Sequence, residues 1–258
     1  MYPWLLHHPP ISTWGTCLVA AIVLAWLWAR PRARRAAVAP WRIDLLVPTL
    51  LTFGLLGAWL FGILTDALTA TAVHSSVLLG TLLVSTAAGI TYALLAKIPL
   101  GILGDILAPP IALCIAIGRI GCLFAGCCFG QVCAQPTPLT AVTFPAGSFA
   151  ALFQQRTGPS LPVYPIQLYE SAACFLLALF LWRWRQKDQR GITGQKFLAL
   201  GITYAAIRFC IEFLRADNPP IHGLTFSQWG ALVIAARSAA TWLVRLRYQQ
   251  RWRIGRPA

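Results

Sequence analysis

Charged residues, and acidic residues above all, are scarce in this chain of 258 residues. Only 11% of the residues are Asp, Glu, Lys or Arg, and just seven of them are acidic, whereas roughly 25% of an ordinary soluble domain is charged. Apolar residues make up 58% of the chain, a share that excludes a disordered protein and argues against a soluble globular enzyme. The sequence also has no internal repeat, long linker or low-complexity tract. The composition therefore predicts a polytopic membrane protein with a single helical domain over residues 1–258.

Seven apolar runs are long enough to cross a bilayer as helices, since a helix needs about 20 residues to do so. The runs cover residues 13–29, 45–64, 77–96, 106–124, 167–182, 197–214 and 226–244. The first run has no small-residue cleavage site and leads into a basic segment, so we expect an uncleaved anchor rather than a signal peptide. The fold class predicted from these runs is an all-α polytopic membrane protein with seven transmembrane helices.

The 21 Lys and Arg residues give the chain a net charge of +14. Such a balance indicates nucleic-acid binding when the charges form one patch. Here sixteen of the 21 fall after the first, third and fifth runs or in the C-terminal tail. By the positive-inside rule these segments are cytoplasmic. The charge therefore predicts an extracytoplasmic N-terminus and a cytoplasmic C-terminus, and we expect no nucleic-acid partner.

Four arginines remain in or beside apolar runs, where an ionisable residue costs about 2.5–3.5 kcal/mol on insertion scales. One of them, Arg237, can extend its side chain to the interface. In the sixth run Tyr204, Arg208, Glu212 and Arg215 fall within an arc of about 80° on a helix and form one polar stripe. A structural Arg208–Glu212 pair explains part of it. Two arginines for one carboxylate leave positive charge, which suits an anionic ligand.

Glycines lie on both sides of Arg119, the fourth of these arginines. Gly118, Arg119 and Gly121 lie near the end of the fourth run, where glycines permit close approach of a ligand or of another helix and an arginine can bind phosphate or carboxylate bidentately. At the start of the fifth run Gln167 and Glu170 share a helical face. Glu170 is either part of this polar site or an ordinary acid at the membrane interface.

Four cysteines follow Arg119 in a C-x4-C-C-x4-C pattern near the predicted extracytoplasmic face. Oxidising conditions there favour one or two disulfides, whereas C-x4-C-C-x4-C as a whole is not a usual zinc-site pattern. The sequence therefore predicts a disulfide or redox role, and no metal, for Cys122, Cys127, Cys128 and Cys133. The connection over residues 130–165 has six prolines and is either a functional lid or a plain surface connection.

Several segments together resemble the prolipoprotein diacylglyceryl transferase family, whose members are seven-span enzymes of the bacterial inner membrane. Residues 105–109 and 118–121 are similar to the family's D-x-x-A-P and G-R-x-G motifs, and residues 165–170 to its H-P-x-Q-L-Y-E motif. Residues 204–215 match all six fixed positions of Y-x-x-x-R-F-x-x-E-F-x-R. Residues 224–229 add a softer match in the seventh run.

The resemblance implies transfer of a diacylglyceryl group from phosphatidylglycerol to the lipobox cysteine thiol of a prolipoprotein, at its signal-peptide region, without a cofactor. Glycerol 1-phosphate would leave, so cations that bind the departing phosphate would lower the barrier. The implied catalytic residues are Arg119, Arg208, Glu212 and Tyr204. The implied substrate-binding residues are Arg215, Gln167, Tyr169, Glu170, Gly118 and Gly121.

The chain departs from the family pattern at polar positions. After G-R-x-G the family usually has N-F-x-N-G-E, where this chain has Cys122, Ala125 and Cys127 in the places of two amides and a carboxylate. The register of the family's H-G-G-L motif falls on residues 79–82, which contain no histidine, so His74 is the remaining candidate for a base.

These departures leave alternatives open. The chain could be a divergent paralogue that acts on another thiol or lipid. It could also be a membrane thiol–disulfide redox protein that uses the cysteines from Cys122 to Cys133 with a quinone, or an anion transporter whose path the arginines line.

Overall fold

The structure is a computed structural model that describes residues 4–7, 10–68, 74–138, 140–184, 193–216 and 222–254. Two short antiparallel strands, which the sequence pattern did not predict, pair near the N-terminus, and the rest of the described regular structure is helical. The elements are β1 Trp4–His7, β2 Pro10–Ser12, α1 Thr13–Arg35, α2 Pro40–Leu68, α3 His74–Leu95, α4 Leu100–Ala125, α5 Phe149–Phe153, α6 Ile166–Arg183, α7 Gln195–Glu212 and α8 Phe226–Ile254.

Each of the seven apolar runs forms a long helix, which confirms the helical fold class. Among the described residues, four helices are long and apolar enough to cross a membrane: α1, α2 over Pro40–Leu64, α4 and α6. Helix α3 contributes a shorter apolar stretch, Gly80–Leu95. The count of seven spans and the orientation of the termini stay predictions.

The helices expose apolar side chains and bury polar ones. Leu55, Leu95 and Leu176 are among many large apolar residues on the surface, whereas Glu170 and Glu212 are almost fully buried. Hydrocarbon cannot hydrogen-bond, so a protein in a bilayer turns apolar groups outward and pairs its charges inside. The chain is accordingly a multi-pass membrane protein.

The chain groups into two compact units whose boundaries fall inside α1 and α4. The first unit comprises Met1–Ala25 with Leu107–Ala258, and the second comprises Trp26–Ile106. All residues of the polar cluster described below belong to the first unit. The single domain expected from composition stays a prediction.

Helices α2 and α3 of the second unit pack backbone against backbone. A Cβ added at Gly57 would overlap the carbonyl oxygen of Gly80, and one added at Gly80 would overlap that of Gly57. No side chain fits at either position. The pair therefore follows the small-residue packing that is common between membrane helices.

Arg32 compensates for a gap in the hydrogen bonding of α4. The carbonyls of Asp105 and Ile106 would ordinarily accept from the residues four positions on, but these are Pro109 and Pro110, which have no N–H. Arg32 Nη2 donates to the Asp105 carbonyl at 2.9 Å and its Nε donates to that of Ile106 at 3.1 Å. One guanidinium thus satisfies both carbonyls that the two prolines leave open.

The connection after α4 folds back onto the end of α7. Gly130 pairs with Arg215, and the Gln131 N–H donates to the Leu214 carbonyl at 2.8 Å. The Gly130 N–H donates to the carbonyl of Tyr164, and a Cβ at Gly130 would lie 2.6 Å from that oxygen. Only glycine permits this approach, which fixes the backbone that carries Arg215.

The same connection has an apolar core of its own. Phe129, Phe144 and Val163 are buried together, and Val142 packs against them. The described part of the connection is therefore a packed structure. Its Gln131 N–H bonds to the Leu214 carbonyl just after α7, and its last residues lead into α6.

Candidate active site

Glu170 on α6 is the centre of a buried polar cluster. Its Oε2 lies 2.9 Å from Arg119 Nε and 3.4 Å from Arg208 Nη1, and its Oε1 accepts a hydrogen bond from the Tyr204 hydroxyl at 3.2 Å. Three helices (α4, α6 and α7) therefore meet at one carboxylate. The side chain of Glu170 is 2% exposed, so it is not an interfacial acid.

Glu212 is the second carboxylate of the cluster. Its Oε2 lies 2.7 Å from Arg208 Nη2 and 3.9 Å from Arg215 Nε, and its Oε1 accepts from the Thr225 hydroxyl at 2.9 Å. The Arg208–Glu212 pair that the i, i+4 spacing indicates is thus present. Arg208 connects the two carboxylates, since its guanidinium reaches both.

The start of α8 supplies polar partners that were not predicted from the sequence. Thr225 and Gln228 form a capping box, in which the Gln228 N–H donates to Thr225 Oγ1 at 3.2 Å and the Thr225 N–H donates to Gln228 Oε1 at 2.9 Å. Ser227 Oγ accepts from Arg208 Nη2 at 3.2 Å. The T-x-x-Q pattern at residues 225–228 was the sequence signal for this helix start.

The cluster contains three cations and two anions. The side chains of Arg119, Arg208 and Arg215 are 17%, 12% and 8% exposed, and those of Glu170 and Glu212 are 2% and 0% exposed. Because buried charges need partners, the surplus positive charge favours an anionic ligand. Guanidinium groups bind phosphate and carboxylate through paired hydrogen bonds.

Gln167 extends the cluster towards the end of α4. Its Nε2 donates to the Cys127 carbonyl at 2.8 Å. Its Oε1 is buried and has no hydrogen-bond partner among the described residues. A buried acceptor of this kind can receive a hydroxyl group of a ligand.

The predicted glycines occupy different surroundings. A Cβ at Gly121 would lie 3.0 Å from the Cys17 Cβ and 3.3 Å from Trp14 Cδ1, so Gly121 allows α1 to approach α4. A Cβ at Gly118 would meet no atom within 4 Å, which leaves open space next to Arg119.

Tyr169 and His74 are the two further predicted residues. Tyr169 is partly exposed on α6, and no described hydrogen bond or ion pair links its side chain to the arginines. His74 begins α3, and its side chain lies outside the described residues. The functional roles given to all these residues stay predictions.

Three of the cysteines meet at the end of α4. The sulfur atoms of Cys122, Cys127 and Cys128 all lie within 4.8 Å of one another, and the Cys127 thiol donates to the Cys122 carbonyl at 3.7 Å. The adjacent Cys122 and Cys127 thiol groups, with the positive charges of Arg215 and Arg119, hold the pKa of Cys128 well below its usual value. This trio is the one set of described residues with the geometry to hold a metal ion.

The fourth cysteine of the pattern is separate from the trio. Cys133 is buried, and its thiol lies near the side chain of Tyr164. All eight cysteines are free thiols in the structure. The disulfide and redox roles therefore stay predictions.

Comparison with known proteins gives a family match over nearly the whole chain. The sequence model of the prolipoprotein diacylglyceryl transferase family matches residues 3–244. Phosphatidylglycerol–prolipoprotein diacylglyceryl transferase 2 of Clostridium perfringens is 39% identical over 116 residues, which are 45% of this chain and 40% of that protein. The transferase of Clostridium tetani is 37% identical over 114 residues, 44% of this chain and 41% of that protein.

A more distant relative aligns along most of its length. The phosphatidylglycerol–prolipoprotein diacylglyceryl transferase of Pediococcus pentosaceus is 26% identical over 238 residues, 87% of this chain and 82% of that protein. The matches to the two clostridial proteins, in contrast, span about two fifths of their length.

Proposed function

The chain belongs to the prolipoprotein diacylglyceryl transferase family, and from this membership we propose that it transfers a diacylglyceryl group from phosphatidylglycerol to the lipobox cysteine thiol of a prolipoprotein. The observation that carries the proposal is the buried cluster of Arg119, Arg208 and Arg215 around two carboxylates. Its surplus positive charge suits the phosphate of the lipid donor.

The donor would bind through its headgroup. Its phosphate would approach the guanidinium groups of Arg119 and Arg208, beside the open space at Gly118. A hydroxyl of the glycerol headgroup would donate to the buried Oε1 of Gln167. Glu170 and Glu212 would act as positioning residues, because they hold the arginines through ion pairs.

The reaction replaces a carbon–oxygen bond by a carbon–sulfur bond. The acceptor sulfur, as thiolate, attacks the glyceryl carbon that bears the phosphate ester. The carbon–oxygen bond breaks, its electron pair goes to the phosphate oxygen, and glycerol 1-phosphate leaves. Negative charge grows on that oxygen in the transition state, where one preorganised donor contributes about 2.7–4 kcal/mol. This is the role proposed for Arg119 and Arg208.

The acceptor thiol must lose its proton before it attacks, because the thiolate is the nucleophile. The positive charge of the arginine cluster favours the thiolate. His74 remains the candidate base from the sequence, and Tyr204 the candidate hydrogen-bond donor to the headgroup.

The proposed setting is the bacterial inner membrane, with seven spans, an extracytoplasmic N-terminus and a cytoplasmic C-terminus. In this topology the ends of α4 and α7 and the starts of α6 and α8 share the extracytoplasmic side. These four helix ends carry the cluster. The signal-peptide region of a prolipoprotein would then present its cysteine from that side.

A lipidation assay tests the proposal. Cells depleted of their own transferase would express the full chain with a reporter prolipoprotein, and mass spectrometry would detect the diacylglyceryl adduct. We expect the wild-type chain to lipidate the reporter and Arg208→Ala to lower the rate about 10²–10³-fold. Arg237→Ala, which removes an exposed arginine on α8, should retain the wild-type rate. A well-expressed wild-type chain that leaves the reporter unmodified would refute the proposal.

A second candidate is a paralogue with another thiol acceptor or another lipid. It is favoured by Cys122 and Cys127, which stand where the family has an amide and a carboxylate. The same mass spectra separate the two, since an unmodified reporter together with a lipid adduct on another thiol would indicate the paralogue.

A membrane redox role would require that activity persist in Arg208→Ala and disappear when Cys122, Cys127, Cys128 and Cys133 become alanine.

A further inference from the structure

The Cys122, Cys127 and Cys128 thiols form a compact triad outside the arginine cluster. Their sulfurs lie within 4.8 Å of one another. Sulfur ligands about 2.3 Å from a tetrahedral zinc ion are about 3.8 Å apart. Small rotations of the three side chains would therefore bring the sulfurs to ligand positions without movement of the backbone.

The backbone is shaped to bring these thiols together. Cys122 lies on the last turn of α4, and Gly126 and Cys128 both have a positive φ, 70° and 56°. A positive φ is unfavourable for a residue with a Cβ, yet Cys128 adopts it. The Cys127 N–H donates to the Cys122 carbonyl at 3.2 Å, and Gln167 holds the Cys127 carbonyl. The turn thus folds the second and third thiols back over the first.

The surroundings suit a thiolate-rich centre better than a disulfide. A disulfide uses two sulfurs and leaves the third thiol unused, whereas a metal ion uses all three. Arg119 lies one turn before Cys122 on α4, and Arg215 is paired with Gly130, two residues after Cys128. The positive charge of these two arginines favours the thiolate form of the three cysteines.

We propose that Cys122, Cys127 and Cys128 bind one thiophilic metal ion of the Zn²⁺ class as thiolates, with a fourth coordination position open. This differs from the sequence expectation that the chain has no metal. Spacing alone gave that expectation, because C-x4-C-C is not a usual zinc pattern, and the turn at Gly126 brings the three sulfurs together despite it.

The open coordination position suggests a catalytic use of the metal, which rests on the proposed function. The acceptor cysteine would enter as the fourth ligand, since a thiol that coordinates zinc loses its proton to water. Its sulfur would then attack the glyceryl carbon as the carbon–oxygen bond to phosphate breaks. The metal would supply the deprotonation for which this chain lacks the family histidine at residues 79–82.

Metal analysis of the full chain tests the site directly. The protein would be purified in detergent with a thiol reductant and without chelator, and its metals measured by inductively coupled plasma mass spectrometry. We expect about one zinc ion per chain, and background zinc after Cys122→Ser, Cys127→Ser and Cys128→Ser are combined. The matched control combines Cys17→Ser, Cys114→Ser and Cys210→Ser, and it should keep the zinc.

Two further measurements keep the proposal falsifiable if the triple variant does not fold. Cobalt added to chelator-treated wild-type protein should give the visible and charge-transfer bands of a thiolate-ligated tetrahedral ion. Zinc should raise the Tm of the same protein. Zinc at background level in wild type, or a disulfide mapped between two of the three cysteines in the purified protein, would overturn the proposal.

The lipidation assay separates this site from the proposed function. Bound zinc in a chain that does not lipidate the reporter would uphold the metal site and refute the transferase activity. Full lipidation by the zinc-free triple variant would refute the role of the metal and leave the transferase activity intact.

Discussion

Glu170 holds two arginines and a tyrosine, so its charge should matter for stability. Glu170→Gln would leave Arg119 and Arg208 facing a neutral amide in a buried site, and we expect the free energy of unfolding to fall by about 3–5 kcal/mol. Asp44→Asn is the control, because Asp44 pairs with Arg30 at 3.3 Å in a site where both side chains are about one third exposed. It should cost about 0–1 kcal/mol. Denaturant unfolding in detergent measures both, and equal losses would contradict the central role of Glu170.

The residues that local spacing relates were predictable, and those related by tertiary packing were not. Arg208 and Glu212 are four apart on one helix, so their pairing can be inferred from the sequence. Glu170 meets Tyr204 across 34 residues and Arg208 across 38, and no spacing rule joins them. For Glu170 the sequence therefore left a buried role and an interfacial role equally open.

Arg32 has a structural role because it donates hydrogen bonds to the two carbonyls that the prolines of α4 leave without a helical partner. From its position in the sequence, it was expected only to add to the positive charge that sets the membrane orientation. Arg32→Ala would leave the carbonyls of Asp105 and Ile106 without these hydrogen bonds, at a cost of about 1–3 kcal/mol. In a Pro109→Ala, Pro110→Ala background the helix supplies its own N–H donors, so the same substitution should cost less. A double-mutant cycle measures the difference.

The control for this cycle is Arg34→Ala, which removes an exposed arginine from the same helix end. It should have the same small effect in both backgrounds. A cost for Arg32→Ala that does not change when the prolines are replaced would show that Arg32 acts through another contact.

The contact between α2 and α3 depends on the absence of side chains at two positions. Gly57→Ala would place a methyl group against the Gly80 backbone, and overpacking of this kind costs about 1–3 kcal/mol. Gly54→Ala, one turn earlier on α2, meets Thr81 and Ser85 at ordinary contact distances of 3.4 and 3.7 Å. Thermal unfolding should show a lower Tm for Gly57→Ala alone. A similar fall for both variants would point to helix propensity rather than packing.

Helix positions were predictable because the hydrophobic runs that form spans are long and continuous. The partner of each glycine was not, because small residues permit a close approach without specifying which helix makes it. The same limit applies to α8, where a T-x-x-Q pattern marks the helix start but does not show that Thr225 also binds Glu212.

At the scale of the whole molecule, the cations divide into two groups. Sixteen of the 21 Lys and Arg residues lie in segments that the positive-inside rule places in the cytoplasm. Arg119, Arg208 and Arg215 lie instead at helix ends that meet in one buried cluster. If the first group sets the orientation, the arginine cluster faces the extracytoplasmic side. The proposed approach of the prolipoprotein cysteine from that side therefore depends on the predicted topology.

Reporter insertions test this dependence. Green fluorescent protein fused to the C-terminus should fluoresce, and alkaline phosphatase inserted after Gln135, at an exposed site in the connection between α4 and α6, should be active, because that enzyme needs the oxidising extracytoplasmic compartment. Alkaline phosphatase at the C-terminus is the matched control and should be inactive. The opposite pattern would place the arginine cluster on the cytoplasmic side. It would also show that the positive charge of the connections does not set the orientation of this chain. The proposed approach of the prolipoprotein cysteine would then be wrong, even if the cluster still bound the lipid phosphate.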